Sequence, residues 1–220
     1  MMKLYNYFRS SASYRVRIAL NLKGLDYEYL PVHIARGEHL AGAYPQISAD
    51  MLVPLFEDEP ASGEEQGERF SQSMAIIEYL DEVHPEPPLM PLDPAGRAHV
   101  RALSETIACE IHPINNLRVL RYLVGEMKLS EDDKNRWYRH WVETGLSAIE
   151  QQLSGDARTG RFCHGDTPTL ADCALVPQVH NAQRMACRLD HVPTVMRVFA
   201  ECMALDAFAR TQPSAYPEAT

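Results

Sequence analysis

From Tyr7 to Leu20 the sequence reads Tyr-Phe-Arg-Ser-Ser-Ala-Ser-Tyr-Arg-Val-Arg-Ile-Ala-Leu, which sets three serine hydroxyls and an arginine at the step from a short strand into a helix. A serine-rich helix start offers backbone N–H groups and the positive end of the helix dipole, a combination that receives an anion. The stretch contains no lysine, cysteine or histidine to act as a nucleophile of its own. The anion it would hold is therefore brought in from outside.

The elements that must position this motif follow from the pattern of the chain. Leu4–Phe8 reads as a strand and Tyr14–Lys23 as a helix with Val16, Ala19 and Leu20 on one face and Gly24 as its stop. Tyr27–Ile34 reads as a second strand and the stretch from Arg36 to Met51 as an irregular loop. Leu52–Phe56 and Arg69–Ser71 read as a hairpin around an acidic loop from Glu57 to Glu68, expected to be solvated and mobile, and Ser73 opens another helix. The order β-α-β then β-β-α defines a small α/β layer over residues 1–84. Five prolines between Pro85 and Pro94 make residues 85–94 a linker.

Residues 95–220 are helical almost throughout. Val100, Leu103, Ile107, Ile111 and Ile114 form one apolar stripe, and Val142, Leu146, Ile149 and Leu153 another. Thr169-Leu170-Ala171-Asp172 has the form of a capping box. Trp137, Trp141 and the methionines read as core. The fold class is α/β followed by all-α.

Composition narrows the function. The 220 residues carry 21 basic and 30 acidic side chains, a formal net charge of −9, with no basic stripe to neutralise phosphates, so nucleic acid is excluded as a partner. The same charge repels an anionic ligand, which local arginines must then attract. No apolar run is long enough for a membrane span, and the strand-like start without a secretory segment points to the cytoplasm. Cys109, Cys163, Cys173, Cys187 and Cys202 are odd in number, scattered and without a CxxC pair, which speaks against disulfides or a zinc site. Cys109 with His112 makes no metal site, since no other ligands converge on them in sequence.

An α/β layer followed by a helical domain resembles the soluble glutathione transferases, with a thioredoxin-like first domain. Arg9-Ser10-Ser11-Ala12-Ser13-Tyr14-Arg15-Val16-Arg17-Ile18-Ala19-Leu20 is similar to the SSCSxRVRIAL signature of the zeta class, which includes the maleylacetoacetate and maleylpyruvate isomerases. Val53-Pro54, Gln72 to Leu80, Ile111 to Asn116, Gly165 to Asp172 and Val176-Pro177-Gln178 match in order and separation, from Lys3 to about Phe208. Two departures stand out: Ala12 replaces a frequent cysteine, and Ser48-Ala49-Asp50-Met51 replaces an Asn-Pro-Gln-Gln-type segment.

The resemblance implies glutathione as cofactor, a homodimer, and cis-to-trans isomerisation of a dianionic maleyl keto acid, maleylacetoacetate first and maleylpyruvate as the alternative. A double bond rotates only after it is made single. A glutathione thiolate that adds next to the cis carboxylate, and leaves after rotation, does this without a protein nucleophile, which fits Ala12. A thiol with a pKa of ~8.5 is about 3% ionised at neutral pH, so lowering the pKa by roughly two units raises the thiolate fraction about 25-fold. The weaker nucleophile returns about eightfold of that, for a net gain of about threefold. Most of the rate must come from positioning and from stabilising negative charge.

By the same resemblance Ser10 and Ser11 donate to the thiolate, with Ser13 a poorer third, although one serine could serve only as helix cap. Arg9 and Arg184 receive substrate carboxylates, while at least one of Arg15 and Arg17 is structural or a dimer-surface charge. Val53, ahead of a cis Pro54, pairs with the cysteinyl backbone of glutathione, and Gln72 and Ser73 receive its γ-glutamyl end. His112 and Asn116, four apart on one face of a long helix, contact it as well. Two further readings stand beside this one: a general glutathione transferase or peroxidase acting on haloacids or hydroperoxides, and a non-enzymatic binding protein of the same fold.

Overall fold

The computed structural model describes residues 1–60 and 67–216, so half of the acidic loop expected from Glu57 to Glu68, residues 61–66, lies outside the described residues. The described chain forms two compact units. One comprises Met1–Leu89 and the C-terminal residues from Leu205, the other Met90–Ala204.

The first unit is built on a four-stranded sheet of β1 (Lys3–Asn6), β2 (Glu28–Pro31), β3 (Leu55–Glu57) and β4 (Arg69–Ser71), in the order β2-β1-β3-β4. β1 runs parallel to β2 and antiparallel to β3, and β3 is antiparallel to β4. The parallel pair needs a crossover, which α1 (Ser11–Leu22) supplies. β1 ends at Asn6, two residues before the expected Phe8, because the Tyr7 carbonyl turns to accept the Ser10 N–H at 2.9 Å. α1 starts at Ser11 rather than Tyr14, since the Ser10 hydroxyl accepts the Ser13 N–H at 3.2 Å and caps it. Its end is a Schellman motif, with Gly24 at φ +65° and the Leu25 N–H on the Leu20 carbonyl at 2.9 Å.

The strand expected over Tyr27–Ile34 is shorter, since β2 ends at Pro31 and a 3-10 turn (Ile34–Arg36) follows, and the stretch expected as an irregular loop contains a second 3-10 turn (Glu38–Leu40) and α2 (Tyr44–Ile47). Tyr44 packs there with Val32 and Leu55 in a small core beneath the loop. α3 (Ser73–Val83) follows β4. α1 is not amphipathic as its pattern suggested: every residue from Ser13 to Leu20 is buried. α3 covers one side of it, and the short C-terminal helix Asp206–Ala209 also packs on it. The residues from Leu205, read from sequence as part of the helical domain, thus complete the first unit.

On β3, the buried Glu57 carboxylate bridges Lys3 Nζ at 2.6 Å and Arg69 Nε at 2.7 Å. Burial pushes its pKa up, but the bonds from Lys3 and Arg69 outweigh it, and the net pKa lies below the usual 4.5. A carboxyl depressed in the folded state stabilises the fold above about pH 4.5, and that contribution is lost as the pH falls through the native pKa. Glu57→Gln should therefore destabilise at neutral pH and lose less stability on acidification. Urea unfolding of both proteins between about pH 3 and 7 checks this, because the gap between them should narrow toward the acid end. A constant gap would refute it.

In the second unit, α4 (Pro94–Glu105) is capped by Asp93, whose Oδ1 accepts the Gly96 N–H at 2.8 Å, with Pro94 at the first helical position. The chain then widens into a π-helical segment, Thr106–Ile111, and tightens into a 3-10 turn, Pro113–Asn115. α5 (Leu117–Gly125), α6 (Glu131–Ser154), α7 (Leu170–Arg184) and α8 (Pro193–Met203) complete the unit. Both expected apolar stripes are buried, apart from Ile114, which is partly exposed.

Trp137 and Trp141 are not core: both are half-buried, and Trp137 Nε1 donates to the Ile114 carbonyl at 3.0 Å. Of the methionines only Met2 and Met90 are buried, while Met1, Met51 and Met127 are exposed. A tryptophan keeps its N–H within reach of a polar partner, as Trp137 does, and the branched apolar residues on the stripes fill the centre.

Candidate active site

Ser10 is half-buried and Ser11 is 4% exposed, at the cap and first position of α1. Capping commits the Ser10 oxygen as an acceptor and leaves its O–H proton to donate elsewhere, so the capping role and a thiolate-binding role coexist. Arg9 is exposed, its guanidinium stacked 5.0 Å from the centre of the Phe8 ring, and it forms no ion pair among the described residues.

The Val53–Pro54 peptide is cis, as expected. Sheet pairing begins at Leu55, so Val53 lies just outside the ladder. Gln72 sits at the N-cap of α3 with φ +69°, an unusual value for a residue with a side chain, and its Nε2 reaches Asp50 Oδ2 at 3.5 Å. Asp50 also accepts from the Ser48 hydroxyl at 2.9 Å and the Leu52 N–H at 3.1 Å. The departure at Asp50 is thus a brace for the loop and for Gln72. Ser73, buried at the first position of α3, accepts a hydrogen bond from Arg15 Nη1 at 3.2 Å. Arg15 is itself buried on α1 and so ties the start of one helix to the start of the other. The chain's spacing could not reveal this link, because the two residues lie 58 apart.

In the second unit, His112 and Asn116 do not share one long helix. The π-helical segment ends when the His112 N–H meets the Ile107 carbonyl at 3.0 Å, and Asn116 starts α5 as its N-cap. They remain neighbours, with Asn116 Nδ2 3.3 Å from His112 Nε2. Because Asn116 Oδ1 accepts the Arg118 N–H at 3.2 Å, its amide nitrogen faces the ring, and His112 Nε2 is the acceptor of that pair.

Gly145 on α6 makes this irregularity possible, since a Cβ there would lie 2.4 Å from Ile111 Cγ1. Gly145→Ala should cost about 2 kcal/mol through overpacking and displace His112 with the segment. Thermal unfolding and glutathione affinity measured together check this, and an unchanged melting temperature would refute it.

Arg184 ends α7, is exposed, and makes no ion pair among the described residues. Its charge bears on Tyr138, whose pKa burial pushes up to about 12 and Arg184 holds down. By contrast Arg69, Arg136, Arg158, Arg161, Arg188 and Arg210 are all paired with carboxylates. Burial also drives the Cys163 and Cys202 thiols far above their usual range, which removes them as nucleophiles. Among the described residues no group of three His, Cys, Asp or Glu could hold a metal ion, and no helix is long and apolar enough to cross a membrane.

A thioredoxin-like unit with a serine-capped α1, a cis-proline before β3 and a serine opening α3, joined to a helical unit, defines the glutathione transferase fold. Residues 1–82 match the family described as Glutathione S-transferase, N-terminal domain, and residues 136–217 match Glutathione S-transferase, C-terminal domain. The chain is 46% identical over 217 residues to a maleylpyruvate isomerase of a Ralstonia species, covering 99% of each. It is 43% identical over 219 residues to the maleylacetoacetate isomerase of Pseudomonas aeruginosa, covering 99% of this chain and 98% of that one. A solved maleylacetoacetate isomerase from Anaeromyxobacter dehalogenans with glutathione in its active site is 42% identical, with a TM-score of 0.89 and coverage of 100% and 98%. The same enzyme has been solved with dicarboxyethyl glutathione and citrate in that site, with a TM-score of 0.88, 42% identity and coverage of 100% and 94%. The chain belongs to the zeta class of glutathione transferases, the maleylacetoacetate and maleylpyruvate isomerase family.

Proposed function

We propose that this protein is a glutathione-dependent cis–trans isomerase of a maleyl keto acid, with maleylacetoacetate, converted to fumarylacetoacetate, as the first substrate to test. The observation that carries the reading is the pair of serine-bearing helix starts in one unit, α1 and α3, tied together by the Arg15–Ser73 bond. One ligand with two anionic groups, a thiolate on its central cysteinyl residue and a carboxylate at its γ-glutamyl end, suits two such starts.

In this reading Ser10 and Ser11 donate to the glutathione thiolate. The Val53 backbone pairs with the cysteinyl residue, and Ser73 with Gln72 receives the γ-glutamyl end. His112 and Asn116 complete the contacts, and Arg9 and Arg184 take the substrate's carboxylates. The thiolate adds to the alkene carbon beside the cis carboxylate, and the electron pair moves into an enolate on the neighbouring carbonyl. The single bond rotates, the enolate collapses and the thiolate leaves, so no atom is gained or lost. The enzyme would act as a homodimer in the cytoplasm, and sedimentation analysis tests the dimer.

The Ralstonia relative favours a second reading, maleylpyruvate as the substrate. The two acids share the cis double bond, the adjacent ketone and two carboxylates, so the same residues serve either. The test follows the absorbance of both acids side by side, with and without glutathione. Loss of either that requires glutathione supports the isomerase, and the faster one names the substrate. Turnover of only a haloacid or a hydroperoxide, or glutathione binding with no turnover, would overturn it.

A further inference from the structure

Arg17 lies on α1 beyond the serine motif and is fully buried. Its Nη1 donates to Asn6 Oδ1 at 3.0 Å and to the Tyr7 carbonyl at 3.4 Å. Its Nη2 donates to the carbonyls of Phe8 at 3.0 Å and Thr211 at 3.3 Å. The Tyr216 ring covers it, with its centre 4.5 Å from Cζ, and the Tyr14 ring lies at 5.3 Å. Tyr216 in turn stacks on Tyr29, with 4.8 Å between ring centres.

Among the described residues no carboxylate faces this guanidinium, and burial lowers its pKa with only the surrounding tyrosines acting against it. A buried cation without a counter-ion is costly, and an apolar side chain of similar volume would avoid that cost. What an apolar side chain cannot do is hold four oxygens in a fixed arrangement, as a planar fork of donors can.

Those oxygens belong to two places. Asn6, Tyr7 and Phe8 are the end of β1 and the turn that delivers Arg9 and Ser10, and the Tyr7 carbonyl also accepts the Ser10 N–H. Thr211 belongs to the C-terminal segment, which is further fixed to α1 where the Tyr14 hydroxyl donates to the Phe208 carbonyl at 3.3 Å. We propose that Arg17, held in place by Thr211 and Tyr216 of the C-terminal segment, is a positioning residue for the thiol site, fixing the Tyr7–Phe8 turn so that Arg9, Ser10 and Ser11 meet the glutathione thiolate in register. The proposal rests on the reading of Ser10 and Ser11 as thiolate donors.

The test uses Arg17→Lys in the full-length enzyme, because one ammonium keeps the charge but cannot span four oxygens. Three quantities are read: the melting temperature, the ultraviolet titration of the thiolate of enzyme-bound glutathione, and kcat and KM for the maleyl acid. Folded Arg17→Lys should show a thiolate midpoint higher by about one pH unit and a kcat lower by about tenfold, with KM within about twofold. The fall in kcat should exceed what the lost thiolate explains, since misplacement is the larger effect.

Unchanged kcat and midpoint in a folded Arg17→Lys would overturn the proposal, as would a lower kcat that only follows the folded fraction. Should Arg17→Lys fail to fold, Tyr216→Leu, which keeps Arg17 and its four acceptors, should move the midpoint in the same direction by a smaller amount, and no movement would overturn it. Ser10→Ala and Ser11→Ala separate the two levels. If neither shifts the midpoint, the serine reading fails, and if one does while Arg17→Lys does not, only the role of Arg17 fails.

Discussion

Arg9→Met and Arg184→Met are each expected to lower kcat/KM for the maleyl acid by about 30- to 150-fold, and the two together by about 10³-fold or more. Each arginine would hold one substrate carboxylate. A charge-assisted hydrogen bond from guanidinium to carboxylate is worth about 2–3 kcal/mol where the partner would otherwise be left unpaired. Neither arginine has a carboxylate partner among the described residues, so no competing ion pair must first be broken. The net charge of −9 makes the loss larger, because nothing else at long range attracts a dianion. Arg→Lys at either position should recover part of the rate, less than fully, since a point charge does not make the two parallel bonds of the fork. Glutathione affinity, measured by calorimetry on the same variants, should change little. Steady-state kinetics with the charge reversed in neither place but the hydrogen-bonding removed in both would refute the assignment if kcat/KM stayed within about threefold of wild type.

The second large effect concerns stability. Asp172 is fully buried at the start of α7, where Oδ2 accepts the Thr169 N–H at 2.7 Å and hydroxyl at 2.9 Å, and Oδ1 accepts the Cys163 N–H at 2.9 Å. Burial raises its pKa, and these same donors oppose the rise. Asp172→Ala would strand two buried N–H groups and leave a cavity beside Cys202, whose Sγ lies 3.8 Å from Oδ1. A loss of about 4 kcal/mol is expected, at the upper end of what single substitutions do. Asp172→Asn keeps one acceptor oxygen and should lose about half as much. Denaturant unfolding reads both. A loss below about 1 kcal/mol for Asp172→Ala would mean that the box is not what holds α7 in place.

The features legible in the chain are those whose partners lie within a few residues. The stop at Gly24 and the Thr169–Asp172 box are bonds between near neighbours in sequence, set by local backbone geometry that residue type fixes directly. The serine-rich helix start was legible too, but not that Ser10 is the residue that caps it, so that the helix begins at Ser11 rather than at the expected Tyr14. The two helical stripes were legible for the same reason, since a period of three to four residues is itself local. It was the resemblance to the zeta class, carried by motifs in the same order and separation, that marked Ser10, Ser11, Val53, Gln72, Ser73, Arg9 and Arg184 as candidates.

Only the tertiary structure decided what the arginines of α1 do. Arg15 meets Ser73 and Arg17 meets Thr211 across 58 and 194 residues, and nothing in the helix period distinguishes either from a surface charge. It also decided that the C-terminal segment completes the first unit, that a π-helical segment precedes His112, and that Trp137 and Trp141 lie at an edge. A clue was present in Arg15 and Arg17, two charges that flank Val16 and precede the apolar run Ile18-Ala19-Leu20, but it needed the knowledge that both sides of that helix are covered. The physical reason is general. Local hydrogen bonds depend on one stretch of chain, whereas the partners of a buried charge depend on which distant surfaces close over it, and that is settled by packing the whole unit at once.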